Sequence, residues 1–286
     1  MPRSYMFVPG DSGKKLAKGL AGAADALIID LEDAVAPSNK DAGRALTARF
    51  LEEQVQARPR LWVRVNAFAT GLTEADLEAI VPRQPVGIVL PKCDGIEHVA
   101  RLAQMLGALE ARHGLADGTI RIMGIVTETA ASVLNLPSLR VGHPRLAAMM
   151  WGGEDLAADL AAASNRDATG AFSDPFRLAR SMCLLAAKAA GAEAIDTVFT
   201  DIRDLASLEA ETAAARAMGF DAKAAIHPDQ IAVINRVYTP ADEELAWARR
   251  VVAAFDAQPG LGVVRLDDEM VDQPHLKHAR RLLAAS

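Results

Sequence analysis

Apolar positions along this chain fall into two alternating patterns. Short runs rich in Val, Ile, Leu and Met pass with little polar interruption, and between them lie Ala- and Leu-rich stretches whose apolar residues recur at helical spacing. Eight runs of the first kind predict strands at Ser4 to Pro9, Ala26 to Asp33, Arg60 to Asn66, Gly87 to Lys92, Ile120 to Thr129, Leu146 to Gly152, Ile195 to Thr200 and Ala222 to His227. The helical signal is clear in Thr73 to Ile80 and in Leu205 to Met218, the latter followed by Gly219 as a C-cap. This alternation predicts parallel βα units of the α/β class, and eight of them close a (β/α)8 TIM barrel. An open doubly wound sheet is the rival architecture, but it calls for a glycine-rich first βα turn. Here the turn from Pro9 to Lys15 has neither the dinucleotide nor the nucleoside-triphosphate spacing.

In such a barrel the chemistry gathers at the C-terminal ends of the strands, and those ends are unusually polar here. Strand 2 finishes with Asp30, Glu32 and Asp33, strand 3 with Arg64 and Asn66, and strand 4 with Pro91 and Lys92, while strands 5 and 6 deliver Glu128 and Asp155. Carboxylates crowded together raise one another's pKa unless cations compensate them. Arg64 and one divalent cation between Glu128 and Asp155 would supply that compensation. Oxygen-only ligands favour a hard ion, Mg2+ or Mn2+, and no grouping of His and Cys resembles a zinc site. Simpler readings stand beside this one. The Asp30 to Asp33 segment could cap the following helix, and Arg64 could merely neutralise Asp33.

Composition narrows the class without choosing the reaction. A chain of 286 residues that is 51% hydrophobic can bury one large core. A net charge of −6, with the basic residues dispersed, argues against a nucleic-acid or anionic membrane surface. No window reaches the roughly 18 apolar residues of a membrane span, and the chain enters its first strand without a signal-peptide pattern, so a cytoplasmic protein is expected. Cys93 and Cys183 offer no pairing framework and read as reduced thiols.

Taken together, the segments Arg3 to Gly10, Asp30 to Val35, Arg64 to Asn66, Val89 to Lys92, Glu128 to Ala130, Gly152 to Asp155, Gly219 to Pro228 and Met270 to Pro274 resemble the citrate lyase β-subunit-like branch of the HpcH/HpaI aldolase family. That branch includes malyl-CoA and citramalyl-CoA lyases and malyl-CoA thioesterases. The resemblance implies a TIM-barrel catalytic domain over residues 1–235 and a C-terminal helical extension over 236–286 that caps a neighbouring subunit's site. It implies Mg2+ held by Glu128 and Asp155, with Glu32 and Asp33 behind them holding water on the metal. Arg64 would contact the oxo-acid end of the substrate, and backbone amides of Gly152, Gly153 and Glu154 would grip its carboxylate. Lys14, Lys15 and Lys18 would lie near the phosphates of an acyl-CoA, although as a solvated helix face they need no ligand. Asp272 would be the acid/base, or simply a helix cap. A homotrimer or dimer of trimers follows from the same resemblance, with an acyl-CoA and a small oxo acid as partners.

The implied reaction is carbon–carbon cleavage or formation of a 3-hydroxy-3-carboxyacyl-CoA. The alternatives are a malyl-CoA thioesterase, or a citrate lyase β subunit acting on a carrier-protein thioester within a complex. Thr127 before Glu128, and Ala131-Ser132 after it, depart from the usual Ile and Arg-Gly of the family. The polar segment from Ser164 to Pro175 is expected to help enclose the substrate, as loops after barrel strands do.

Overall fold

The computed structural model describes residues 2–54 and 59–285. It forms two compact units, one from Pro2 to Ile234 and a C-terminal one beginning at Asn235. In the first, β1 (Ser4–Pro9), β2 (Ala26–Asp30), β3 (Arg60–Arg64), β4 (Gly87–Leu90), β5 (Arg121–Ile125), β6 (Leu146–Met150), β7 (Glu193–Asp196) and β8 (Ala222–Ala225) close in sequence order into a parallel barrel. Helices α1 (Gly13–Leu20), α2 (Lys40–Glu53), α3 (Thr73–Ile80), α4 (Ile96–Arg112), α5 (Ala130–Asn135), α6 (Glu154–Asp159), α7 (Asp174–Ala190) and α8 (Leu205–Met218) fill the crossovers. The next helix, α9 (Pro228–Tyr238), carries the chain across the division between the units.

The eight predicted strands are all present, but most are shorter than their apolar runs. β2 stops at Asp30 rather than Asp33, β5 at Ile125 rather than Thr129, and β7 begins two residues early at Glu193. Beyond the last ladder positions single backbone bonds continue, such as Leu31 N–H to Arg64 O and Val126 N–H to Met150 O, before each chain turns away. The residues released from the ladder include the polar ones at the mouth, of which Glu32, Asn66 and Glu128 stay buried and find partners there through their side chains while Asp33 reaches solvent. The α3 and α8 boundaries coincide with the sequence reading, and Gly219 caps α8 at φ 107°. Only glycine adopts that backbone without strain.

Side-chain parity fills the barrel. Tyr5, Ala26, Ile28, Trp62, Val89, Met123, Ile125, Ala148, Met150, Ile195, Ala222 and Ala224 form one buried cluster. Trp62 is accommodated because Gly87 faces it from β4: a Cβ there would stand 2.3 Å from the indole. Tyr5 packs edge-on against Trp62 and donates its hydroxyl to Glu193 Oε2 at 2.9 Å. The lower barrel is therefore sealed by aromatic and apolar groups, and the polar layer lies above it. On the outer face of the barrel, Asp196 at the end of β7 is fully buried and accepts from Trp151 Nε1 (2.7 Å), Arg180 Nε (2.9 Å) and Lys223 Nζ (2.7 Å), tying β7 to β8, to α7 and to the segment after β6.

The C-terminal unit is not wholly helical, which corrects the expectation for that segment. It holds α10 (Asp242–Asp256), the antiparallel pair β9 (Val263–Leu266) and β10 (Glu269–Asp272), and α11 (Gln273–Ala285). Asp267 turns the hairpin at φ 52°, a conformation that short polar side chains tolerate. Val264 and Val271 join Ala248, Val251, Phe255, Leu276 and Ala279 in a small core. The two strands are too short for their alternation to stand out from a helical pattern. Among the described residues, no helix is long and apolar enough to cross a membrane.

Candidate active site

Asp30 and Arg64 end neighbouring strands in direct register. Both face inward, by the parity that places Ile28 and Trp62 in the barrel core. Arg64 donates Nε to Asp30 Oδ1 at 2.8 Å and NH2 to Oδ2 at 2.6 Å, a bidentate pair, and its NH1 lies 3.0 Å from Glu32 Oε2. Its guanidinium also stands 5.0 Å over the ring of Phe7. These buried acids hold the Arg64 pKa well above its ordinary value against the opposing effect of burial. Arg64 is thus fixed in position and permanently charged. Its principal partner is Asp30 and not Asp33, which is 62% exposed at the rim.

Across the mouth, Glu128 follows β5 and is 3% exposed. Burial pushes its pKa up to about 8, with the nearby Asp155 charge adding to the effect. Its Oε2 accepts the backbone N–H of Lys92 at 2.5 Å. The Lys92 ammonium lies 2.7 Å from Glu32 Oε1, 3.2 Å from Asp155 Oδ1 and 3.5 Å from Asp33 Oδ2. Burial holds the Glu32 carboxyl above its ordinary pKa despite Arg64 and Lys92, and its Oε2 makes no hydrogen bond within the described residues.

The β6 end is shaped around Glu128. A Cβ on Gly152 would stand 2.8 Å from Glu128 Cγ, so only glycine leaves that acid its place. Thr127 Oγ1 accepts the Gly152 N–H at 2.9 Å and donates to Gly152 O at 3.3 Å, locking the two strand ends together. The hydroxyl at 127 therefore has a structural use, and so has Ser132, which completes the capping box of α5 with Thr129. With its amide engaged by Thr127, Gly152 has none left to offer a substrate. The amides of Gly153 and Glu154 make no hydrogen bond among the described residues outside helix and strand pairing.

These groups surround a cavity of about 310 Å3, lined on its polar side by Asp30, Arg64, Glu128 and Asp155 and on its apolar side by Phe7, Ile125, Met150, Val198 and Ile226. The structure thus brings together Glu32, Asp33, Arg64, Glu128, Gly152, Gly153, Glu154 and Asp155. Lys14, Lys15 and Lys18 are exposed on α1, directly after the C-terminal end of β1. Asp272 belongs to the C-terminal unit, where it ends β10 and lies 2.5 Å from His275 Nδ1, which holds its carboxyl below the ordinary range. The segment from Ser164 to Pro175 contributes no residue to the cavity lining. It folds against Trp151 through Phe172 and reaches the mouth by Asn165 Nδ2 donating to Glu154 Oε1 at 2.7 Å. Sequence reasoning placed Asp30 and Lys92 among the polar strand ends, with Asp30 as part of a helix cap, but gave neither of them, nor Phe7, a part in the site. For Asp30 the alternation Ile28, Asp30, Glu32 was a usable signal, since it turns all three toward the barrel axis.

A closed parallel barrel with its ionisable groups gathered at the C-terminal mouth defines a TIM-barrel enzyme. Residues 3–228 match HpcH/HpaI aldolase/citrate lyase, and the chain belongs to that family, as an enzyme of the lyase class. It is 34% identical to the mitochondrial citramalyl-CoA lyase of Rattus norvegicus, over 98% of this chain and 85% of that protein. It is 35% identical to the (3S)-malyl-CoA thioesterase of Cereibacter sphaeroides, over 99% of this chain and 93% of that protein. Among solved structures it resembles CitE from Mycobacterium tuberculosis in complex with magnesium, acetoacetate and coenzyme A. There the TM-score is 0.79 at 36% identity, covering 99% of this chain and 97% of the other.

Proposed function

We propose that the barrel mouth is a divalent-metal site that cleaves or forms a 3-hydroxy-3-carboxyacyl-CoA, such as malyl-CoA or citramalyl-CoA, releasing or joining an oxo acid and an acyl-CoA. The observation that carries this reading is the charge imbalance of the mouth. Among the described residues, the side-chain ion pairs of Asp30, Glu32, Asp33 and Asp155 are with Arg64 and Lys92, with Glu128 buried beside them and Lys40 engaged by the carbonyls of Leu31 and Glu32. A further cation removes that imbalance, and the all-oxygen donors Glu128 and Asp155 suit Mg2+, with Mn2+ as a substitute. Glu32 Oε2, which meets Arg64 NH1 at 3.0 Å as an ion pair but accepts no hydrogen bond among the described residues, fits a role, shared with Asp33, in holding water beside that ion. When bound, the metal supplies Lewis acidity at the hydroxyl and carboxylate of the substrate.

The remaining work falls to the chain. Arg64, clamped by Asp30 and stacked on Phe7, offers its free N–H groups to the oxo-acid end without reorganising, which is how a preorganised donor stabilises developing negative charge. Gly153 and Glu154 can donate their amides to the substrate carboxylate, and the apolar wall of Phe7, Ile125, Met150, Val198 and Ile226 keeps water from the carbon skeleton. Lys14, Lys15 and Lys18 present positive charge where CoA phosphates would cross the rim. Asp272, supplied by a neighbouring copy in a homotrimer or dimer of trimers, would abstract the acyl-CoA α proton as a carboxylate in condensation, and in cleavage would return to the enolate carbon the proton that the substrate hydroxyl gives up.

The test is to incubate the protein and Mg2+ with malyl-CoA, citramalyl-CoA, β-methylmalyl-CoA and citryl-CoA, measuring oxo acid and free thiol separately, with Glu128→Ala as control. Oxo acid without free CoA supports the lyase and names its substrate. Free CoA without oxo acid would replace it with a thioesterase. Silence on the whole panel would overturn the free-CoA reading in favour of a carrier-protein thioester.

A further inference from the structure

Lys92 touches three carboxylates of the mouth at once, and it does so from a constrained backbone. Its φ of 48° lies in the left-handed region, where a residue with a side chain is held only when its surroundings over-determine it. That conformation lets one residue serve the acid cluster twice. Its N–H binds Glu128, while its ammonium spans Glu32, Asp33 and Asp155. The two acids assigned above to the metal, Glu128 and Asp155, are therefore both in contact with Lys92. A positioning residue and a competitor for the metal make opposite predictions. Removing a residue that merely orients the ligands weakens metal binding, whereas removing a fixed cation from their midst strengthens it. The geometry favours the second for the side chain. The ammonium lies within ion-pair distance of Asp155 Oδ1, so it contends for the carboxylate that would hold the ion and repels any cation there. The orienting contact to Glu128 belongs to the backbone and survives side-chain substitution.

We propose that the Lys92 side chain sets how strongly the mouth holds its divalent cation, acting as a built-in counter-cation that competes for Asp155. This rests on the metal reading given above. Lys92 thereby keeps the crowded acids compensated whether or not a metal is bound, and it keeps metal binding weak enough to exchange.

The test is a Mn2+ titration of the full-length protein, followed by electron paramagnetic resonance, for wild type, Lys92→Met, Lys92→Gly, Lys92→Arg and Asp155→Asn. Lys92→Met and Lys92→Gly should bind Mn2+ at least tenfold more tightly than wild type, and Lys92→Arg should stay near it. In EDTA, Lys92→Met should melt below wild type, with Mn2+ recovering the difference. Glycine relaxes the left-handed backbone and retains the N–H, so Lys92→Gly with Lys92→Arg carries the test if the methionine variant does not fold. Equal or weaker binding by the charge-free variants would overturn the proposal, as would a Lys92→Arg protein that tightens like Lys92→Gly. If wild type binds no Mn2+, or Asp155→Asn binds it as well as wild type, the metal reading itself fails and this proposal falls with it.

Discussion

Gly152→Ala isolates the dependence of the site on one methyl-sized space. The added Cβ would stand 2.8 Å from Glu128 Cγ, 3.3 Å from Ile125 Cγ2 and 3.6 Å from Glu128 Cδ. Carbon atoms rest about 3.5–4.0 Å apart, so the Glu128 side chain must retreat by roughly 0.7 Å or more. Gly152 is not among the residues of positive φ, so its backbone accepts alanine and the damage is confined to what the methyl strikes. Glu128 cannot yield freely, because Lys92 N–H pins its carboxylate at 2.5 Å. A shift of nearly 1 Å at a reacting centre costs on the order of 10²-fold in rate. The variant is expected to lose about that factor in kcat and to bind Mn2+ measurably more weakly, while overpacking of about 1–3 kcal/mol lowers the melting temperature by only a few degrees. Turnover, Mn2+ titration and thermal unfolding on one preparation check all three. Gly13→Ala, whose Cβ meets nothing within 4 Å, is the matched control. A Gly152→Ala protein with wild-type turnover and wild-type Mn2+ affinity would refute the assignment of Glu128 to the metal.

Three further perturbations test other parts of the structure. Asp30→Ala removes the bidentate partner of a 12% exposed Arg64, so stability should fall by about 3 kcal/mol, with Glu32 limiting the loss, and KM should rise more than kcat falls; urea denaturation and steady-state kinetics read both, and an unchanged KM would deny Arg64 its substrate role. Asp196→Asn removes the charge that Lys223 and Arg180 share in a buried network, leaving Glu211 at 3.0 Å to compensate Lys223, and should cost about 3–5 kcal/mol by chemical denaturation; a loss below about 1 kcal/mol would show that the network is not held by charge. Because a cation needs the ionised carboxylate and Glu128 is pushed up to about 8, apparent Mn2+ affinity should climb about tenfold per pH unit below 8 and level off above it. In EDTA the sign reverses for stability: a carboxyl raised above its ordinary 4.5 favours the folded state at low pH, and that contribution is lost as pH rises through about 8. Calorimetric titrations at three pH values and melts in chelator would settle this, and a flat affinity would contradict it.

The sequence determined the barrel. Eight apolar runs alternating with amphipathic helices leave few other ways to bury both faces of a parallel sheet, and local signals such as Gly219 fixed element ends. It also determined that acids stand at the strand ends, because a strand end lies at the mouth whatever the packing. What only the tertiary structure decided is how those acids are paired. Arg64 meets Asp30 through strand register, Lys92 reaches three carboxylates through a left-handed turn, and Thr127 closes on Gly152 across two strands. Each depends on residues tens of positions apart arriving within 3 Å or so of one another, a distance that no local pattern encodes. The β9–β10 hairpin escaped for a related reason. Its four-residue strands are stabilised by packing on α10 and α11 rather than by any period in their own sequence.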